Sequence, residues 1–270
     1  MTGYVRDEVA LTPWMHLTAG LRRDDVRYYD FASQRDFVVR RWNPLAGIAI
    51  RITPSTVVRA AAFRSLSSDF TGAKISPTTV SGFVIARNEL PTAIRKETNA
   101  SIEHAWTRAF LGVRTFVRQT TVPSLADVAF LPEAESHAVG GSAFLNVTAS
   151  PRLSLFADDQ VIRTETRIFD QVDHRVRLGF NFIHERGFFA RITTEYITQR
   201  FSNTTAVELP KSGFGLTDID VKQEFAGKRG LFQFTITNLF DRRFDAVVEG
   251  LSIERLLPDR RALAQLRWRF

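Results

Sequence analysis

The sequence predicts an all-β chain: an antiparallel transmembrane β-barrel of about 12 strands, or an incomplete part of a larger one. Three observations predict it. Run after run of residues alternates with a period of two, apolar on one side and polar or arginine-bearing on the other. The connections between these runs alternate short and long. The chain also closes on a strand, with Ala264, Leu266, Trp268 and Phe270 on one side and Leu263, Gln265, Arg267 and Arg269 on the other. A period of two places successive side chains on opposite faces of a sheet. A soluble sheet rarely puts its largest aromatics at a free carboxyl terminus, where chains fray. A barrel in a bilayer needs an apolar outer face with aromatics at the interfaces, while its interior can be wet and charged.

The bulk composition is compatible with this class and excludes others. The 270 residues are 44% hydrophobic, which a barrel shares with soluble proteins because only alternate residues meet lipid. No stretch approaches the roughly 18 apolar residues of a spanning helix, and Val57 to Phe63 is interrupted by Arg59. The 23 phenylalanines suit strands and membrane faces. The absence of cysteine removes zinc ribbons, thiol catalysis and disulfide frameworks. A net charge of +7 raises nucleic acid as a partner. The arginines, however, are spaced singly along alternating runs and form no tract, so no nucleic-acid partner is expected. The opening Met1 to Trp14 has no charged segment followed by an apolar one, so no secretory signal is visible. The chain is expected to be the C-terminal part of a longer protein, a single barrel domain over 1–270 with its signal and plug lying elsewhere.

Taken in order, Trp14 to Asp30 sets Met15, Leu17, Ala19 and Leu21 against His16, Thr18, Gly20 and Arg22. Leu45 to Ile52 sets Ala46, Ile48, Ile50 and Ile52 against Gly47, Ala49 and Arg51, and Thr53-Pro54-Ser55 turns the chain into Val57 to Phe63. A polar stretch, Ser65 to Pro91, is expected to be a long loop. Thr98 to Trp106 and Ala109 to Val117 follow, then a loop carrying Pro123 and Pro132. Ser142 to Ala149 turns at Ser150-Pro151-Arg152 into Leu153 to Ala157 and onward to Thr166. The clearest hairpin sets Val176, Leu178, Phe180 and Phe182 against Arg175, Arg177, Gly179 and Asn181. After His184 to Gly187, Phe188, Ala190, Ile192, Thr194 and Tyr196 oppose Phe189, Arg191, Thr193 and Glu195. Thr217, Ile219, Val221 and Phe225 oppose Asp218, Asp220, Lys222 and Glu224, and Ala226 to Gly230 leads into the closing pair. Short turns are thus predicted near 53–55, 107–109, 150–152, 184–187 and 226–230. Long loops are predicted near 31–42, 66–92, 119–136, 163–174, 202–213 and 242–260. Both chain ends then fall at the rim of the short turns, as expected of periplasmic turns and extracellular loops.

These residues carry a resemblance. Asn238-Leu239-Phe240-Asp241 before a final strand ending in an aromatic resembles the C-terminal barrel of TonB-dependent outer-membrane receptors. Asn43-Pro44-Leu45-Ala46-Gly47-Ile48, with Pro54 and Val58 to Ala61, is similar to a mid-barrel hairpin of that family. A narrower resemblance is to the plug-less, receptor-like barrel of some tetratricopeptide-repeat outer-membrane proteins. It is carried by Ala62 to Leu66, Ile75 to Phe83, Gly227-Lys228-Arg229-Gly230 and Leu257-Pro258-Asp259-Arg260. The resemblance implies a bacterial outer-membrane location and outer-membrane lipid around the wall. It implies engagement of the barrel-assembly machinery through the last strand. It also implies an energy-transducing periplasmic partner where a plug exists upstream. Plug, TonB-contact box and repeats are not visible between Met1 and Phe270, and whole receptors of this kind have about 22 strands.

Candidate chemistry is sparse. His16, His104, His137, His174 and His184 are scattered with no metal-site spacing, and ordinary polar roles are expected. Asp158-Asp159 and Glu165 lack calcium-loop spacing and are read as polar loop residues. Gly140-Gly141 has no following helix or Lys, so it reads as a bend at a strand entry. No Ser sits in a nucleophile elbow. No catalytic residue, cofactor or metal is expected, and the chain is read as no enzyme. The residues singled out are the lumen-lining arginines, Arg59, Arg114, Arg118, Arg177, Arg191, Arg267 and Arg269. Facing lipid, each would cost about 2–4 kcal/mol near the midplane; facing water, they would favour anionic solutes. The competing reading pairs them with Asp218, Asp220, Glu195 and Glu224 in a structural network. Asn238 to Asp241 is read as a strand-end element and no binding site.

The function expected is solute or siderophore-type uptake or passage across the outer membrane. The alternatives are the barrel of a repeat-fused protein, acting as porin, export channel or assembly module, and a soluble basic all-β binding protein. The last requires basic residues clustered with aromatics on one exposed face.

Overall fold

The computed structural model describes residues 2–30, 35–66, 79–85, 93–122, 134–167, 169–203, 212–227, 229–242, 245–248, 251–254 and 259–268. These residues form seventeen strands: β1 (Thr2–Thr12), β2 (Met15–Asp30), β3 (Arg35–Thr53), β4 (Thr56–Leu66), β5 (Thr79–Val80), β6 (Phe83–Val84), β7 (Ile94–Ala105), β8 (Ala109–Val122), β9 (Ala134–Ser150), β10 (Leu153–Thr166), β11 (Phe169–His184), β12 (Phe188–Asn203), β13 (Ser212–Phe225), β14 (Gly230–Thr237), β15 (Asp245–Val248), β16 (Leu251–Glu254) and β17 (Arg261–Trp268). Thirteen of them pair in chain order, from β1 through β14 to β17, as one antiparallel sheet, while β5–β6 and β15–β16 are separate short hairpins. By contact the chain divides into two units. One holds Met1–His104, Arg114–Gly140 and Thr164–Arg167; the other holds Ala105–Val113, Gly141–Arg163 and Ile168–Phe270.

Each unit carries the two-faced pattern in rows that run across its strands. In the first, Val9, Leu17, Ile48, Ala60 and Ala100 are successive register partners on β1, β2, β3, β4 and β7. The next row, on the other face, is Glu8, Thr18, Gly47, Ala61 and Asn99. In the second unit Phe180, Ile192, Ile219, Ile236 and Ala262 form an apolar row across β11 to β14 and β17. Its neighbour on the opposite face is Asn181, Arg191, Asp220, Thr235 and Leu263. Because side chains alternate, one register sets every row at once, and a slip by one residue would send the arginines to the apolar face.

The apolar face is uncovered. Leu266 is 69% exposed and Trp268 47%, so among the described residues no second protein layer covers the closing strand. All four tryptophans are exposed, Trp14, Trp42, Trp106 and Trp268, and amphipathic rings of this kind belong at a membrane–water interface. In the first unit the apolar face of β3 runs from Trp42 to Ile52. At about 3.4 Å per residue and a tilt near 40° that spans about 25 Å, the height of an apolar band in a bilayer. Beyond Trp42 the same face turns charged, with Arg40 paired to Asp25 at 3.2 Å. In the second unit the corresponding boundary is Asp159 with His174 at 2.6 Å and Arg163 with Asp170 at 2.8 Å.

Several sequence expectations need correction. The sheet has thirteen strands because Thr2–Thr12 pairs with β2 through a bulge between Ala10 and Thr12, which blurs its alternation. Within the first unit β1 runs antiparallel to β2, with Thr2 opposite Asp24, so Thr2 lies at the end of the pair away from the short connection between Thr12 and Met15. The expected loop 31–42 is mostly strand, since β2 and β3 stay paired out to Asp30 and Arg35. The expected loop 163–174 shrinks to a connection between Thr166 and Phe169. Both stretches are charged, as strands are when they continue past the apolar band into water, and charge hid their period. Asp158, Asp159 and Gly140-Gly141 likewise lie inside β10 and β9, not in a loop or at a strand entry. The short turns fall where they were expected.

The Asn-Leu-Phe-Asp element is a loop lock. Asn238 and Asp241 both adopt positive φ, 51° and 50°, a region asparagine and aspartate tolerate better than most residues. The Asn238 side chain accepts from the Arg242 backbone N–H at 3.0 Å and donates to the Arg242 carbonyl at 3.0 Å. The Asp241 carboxylate accepts from the Arg260 backbone N–H at 3.0 Å. It thereby ties the two ends of the 242–260 connection together.

Candidate functional site

The candidate site is the polar face, and the two units furnish it differently. In the first unit the face is covered by the chain itself. The expected long loop of Ser65 to Pro91 contains the β5–β6 hairpin, turned by Ser81 and Gly82 with φ of 46° and 90°, and the hairpin lies on the polar face. Val80 and Phe83 are 0% and 1% exposed and cluster with Leu45, Ala61, Phe63 and Ile85. Ser81 seats over Gly47, where an added Cβ would fall 2.5 Å from its Oγ. Ser81 Oγ donates to Thr18 Oγ1 at 3.3 Å, and Arg6 donates to the Thr79 carbonyl at 3.0 Å. Arg59 lies along Gly82, and the Arg114 guanidinium sits 5.2 Å above the Phe83 ring. A Ser-Gly pair flanked by Val80 and Phe83 is a hairpin signal that sequence reading could have used.

Two buried polar clusters stand beside the ends of that segment. Arg22 donates to Asp24 at 2.6 Å and to the carbonyl of Leu66, the last residue of β4, at 3.1 Å, and Asn43 also donates to Asp24. Glu97 accepts from Arg95, from Asn99 at 2.9 Å and from Arg118 at 2.8 Å. Arg22, Asp24, Asn43, Arg95, Glu97 and Asn99 are all buried. Charges this dry are held only by partners on every side.

In the second unit the polar face is open and forms a cleft of about 510 Å³. Phe144 and Phe156 lie in its wall, each with its ring over a glycine of the adjoining strand, Gly112 and Gly179, where no Cβ would fit. Arg177 donates to Asp158 at 2.9 Å and Arg175 pairs with Glu195 at 2.7 Å. The Arg191 guanidinium lies 4.9 Å above Phe156 and its Nε donates to Thr193 at 3.2 Å.

Of the arginines singled out from sequence, Arg59, Arg114 and Arg118 share the polar face of the first unit, and Arg177, Arg191 and Arg267 that of the second. Arg269 lies outside the described residues. The carboxylates they meet are not those of the network weighed from sequence. Arg59 pairs with Glu103 at 3.3 Å, Arg118 with Glu97 and Arg177 with Asp158. Asp220 instead takes Lys222 at 2.9 Å, and Asp218 accepts from the Asn238 backbone. Arg114, Arg191 and Arg267 have no carboxylate partner among the described residues.

The histidines stand apart. His104 bonds Thr56 at 2.7 Å, His137 meets Glu135 at 3.2 Å, and His184 accepts from the Arg186 N–H at 3.2 Å. Among the described residues no three metal-ligating side chains converge. Asp158 and Asp159 point to opposite faces and bond Arg177 and His174, so they are no carboxylate pair.

No protein-family model matches the sequence, and no curated protein matches it. Solved structures do. The ferric-catecholate import receptor Fiu of E. coli K12 matches at a TM-score of 0.64 and 13% identity, covering 100% of this chain and 44% of Fiu. The FrpB iron transporter of Neisseria meningitidis matches at 0.65 and 10%, covering 100% of this chain and 45% of FrpB. The ferric yersiniabactin uptake receptor FyuA of Yersinia pestis matches at 0.60 and 16%, covering 98% and 43%. The chain spans less than half the length of these structures. Its fold is that of a TonB-dependent-receptor-like barrel region.

Proposed function

We propose that this chain is the barrel wall of a bacterial outer-membrane protein that binds or passes a solute, an uptake component without catalytic activity. The observation that supports it most is the register. Within the apolar band most apolar residues share one exposed face, while Arg59, Arg114, Arg118, Arg177, Arg191 and Arg267 stand on the other, which suits a wall between lipid and a wet lumen. The matched structures are an import receptor, an iron transporter and an uptake receptor, which favours uptake over export. The cations Arg191 and Arg267 lack carboxylate partners among the described residues and stand on the open polar face of the second unit, so the lumen favours anionic solutes. The partners in this reading are outer-membrane lipid, the barrel-assembly machinery at β17 and, where a plug exists upstream, an energy-transducing periplasmic protein. A porin-like or export barrel, as in repeat-fused proteins, is a second reading. It is favoured by the hairpin on the polar face, which fills space with the chain's own residues.

Heat-modifiable migration on a detergent gel tests the proposal. After refolding into detergent, an unheated sample should run at a position distinct from the boiled one. A chain that is monomeric and folded in plain buffer, with no such shift in detergent, would remove it.

A further inference from the structure

The β5–β6 hairpin is docked too thoroughly to be a surface loop lying by chance across the wall. Its two apolar side chains, Val80 and Phe83, are as buried as any in the protein, although they come from a stretch that is otherwise polar in sequence. Its tip needs a glycine beneath it at Gly47, and its backbone and tip are held by Arg6, Thr18 and Arg59 from three different strands. Arg22, donating to the Leu66 carbonyl, fixes the chain where it leaves β4. The backbone ladders of β1 to β4 run continuously past Arg6, Thr18, Gly47 and Arg59, so these side chains are free to serve the hairpin. They specify where the hairpin sits.

We propose that residues Thr79–Ile85 are a built-in constriction: a segment of the wall that folds onto its own polar face and narrows the passage there. This rests on the barrel reading. A two-stranded hairpin is about 10 Å wide and about 10 Å thick, so it removes roughly 100 Å² of cross-section from a water-filled path. It also sets the local chemistry, because it takes the guanidinium faces of Arg59 and Arg114 out of the path and packs them against Gly82 and Phe83. The same docking leaves a separate polypeptide no room on this part of the face.

The test exploits the absence of cysteine. The double variant Thr18→Cys/Ser81→Cys, refolded and oxidised, should form a disulfide seen as a mobility shift lost on reduction. The control Leu21→Cys/Ser81→Cys, with one cysteine on the apolar face, should not. Ala61→Cys, under the hairpin, should react slowly with a water-soluble maleimide, and at least about tenfold faster once Thr79–Ile85 is replaced by an equal length of Gly and Ser. In planar bilayers that replacement should raise ion current about twofold or more, from the area released. Failure of the Thr18/Ser81 pair to cross-link in a chain that is heat-modifiable overturns the docking. Current no greater than that of the parent overturns the constriction. Loss of heat modifiability in the parent chain itself would fall on the barrel reading instead.

Discussion

Placing one arginine on each face of the second unit measures the energy that holds the register. Ile192 stands in the middle of the apolar row, with Phe180 and Ile219 as its partners on either side. It is four residues from Phe188 at the short-turn rim, about 10 Å up a band of about 25 Å. Ile192→Arg therefore sets a guanidinium near the midplane, at a cost of about 2–4 kcal/mol. Leu263 is also aliphatic but lies on the polar face, opposite Thr235 and 54% exposed. Leu263→Arg loses a similar side chain without a dehydration cost and should change stability by less than about 0.5 kcal/mol. The assay is equilibrium unfolding in urea from lipid vesicles, followed by tryptophan fluorescence and by the fraction that is heat-modifiable. At about 1.4 kcal/mol per tenfold, Ile192→Arg should reduce the folding constant by roughly 30- to 1000-fold. Equal costs for the two variants, or a larger one for Leu263→Arg, would refute the assignment of faces.

Other outcomes follow from the same geometry. Glu97→Ala removes the buried carboxylate that accepts from Arg95, Asn99 and Arg118 and should destabilise the first unit by about 3–5 kcal/mol, read as a lower urea midpoint. Gly179→Val drives a side chain into the Phe156 ring and should cost about 1–3 kcal/mol. The added substitution Phe156→Ala should recover part of that, which a thermal melt of the pair against the singles would show. Brominated lipid should quench Trp14, Trp106 and Trp268 in single-tryptophan variants of the folded chain, and should fail to do so if these rings face water. Asn238→Ala removes two hydrogen bonds and a tolerant positive-φ residue and should cost about 1–3 kcal/mol. It should also speed proteolysis within 242–260 while leaving the strand content seen by circular dichroism unchanged.

Much of the fold was legible in the sequence wherever one face of a strand is apolar and the other polar, because a two-faced sheet demands alternation and alternation can be read. Val176 to Phe182 and Phe188 to Tyr196 announce their faces without any structure, and the short turns at Pro54, Pro151 and Gly187 announce theirs through backbone chemistry. Where strands leave the apolar band the demand lapses. Asp25 to Asp30 and Arg163 to Thr166 carry charged residues where an apolar alternation would mark a strand, and read as loop. The arginine positions were legible as positions but not as pairs, since pairing depends on which strands stand side by side and on i, i+2 neighbours along one face. Glu97 reaches Arg118 across the sheet and Arg95 along its own strand, and nothing local to any of the three says so.

The sequence by itself determined the period, and with it the two faces of the sheet and the face on which Arg59, Arg114, Arg118, Arg177, Arg191 and Arg267 stand, because alternate residues of a strand point to opposite faces. Only the tertiary structure decided what each arginine touches and that Thr79–Ile85 turns back onto the polar face. Those depend on residues far apart in the chain meeting at one place, and Val80 and Phe83 find their burial in a cluster with Leu45, Ala61 and Phe63.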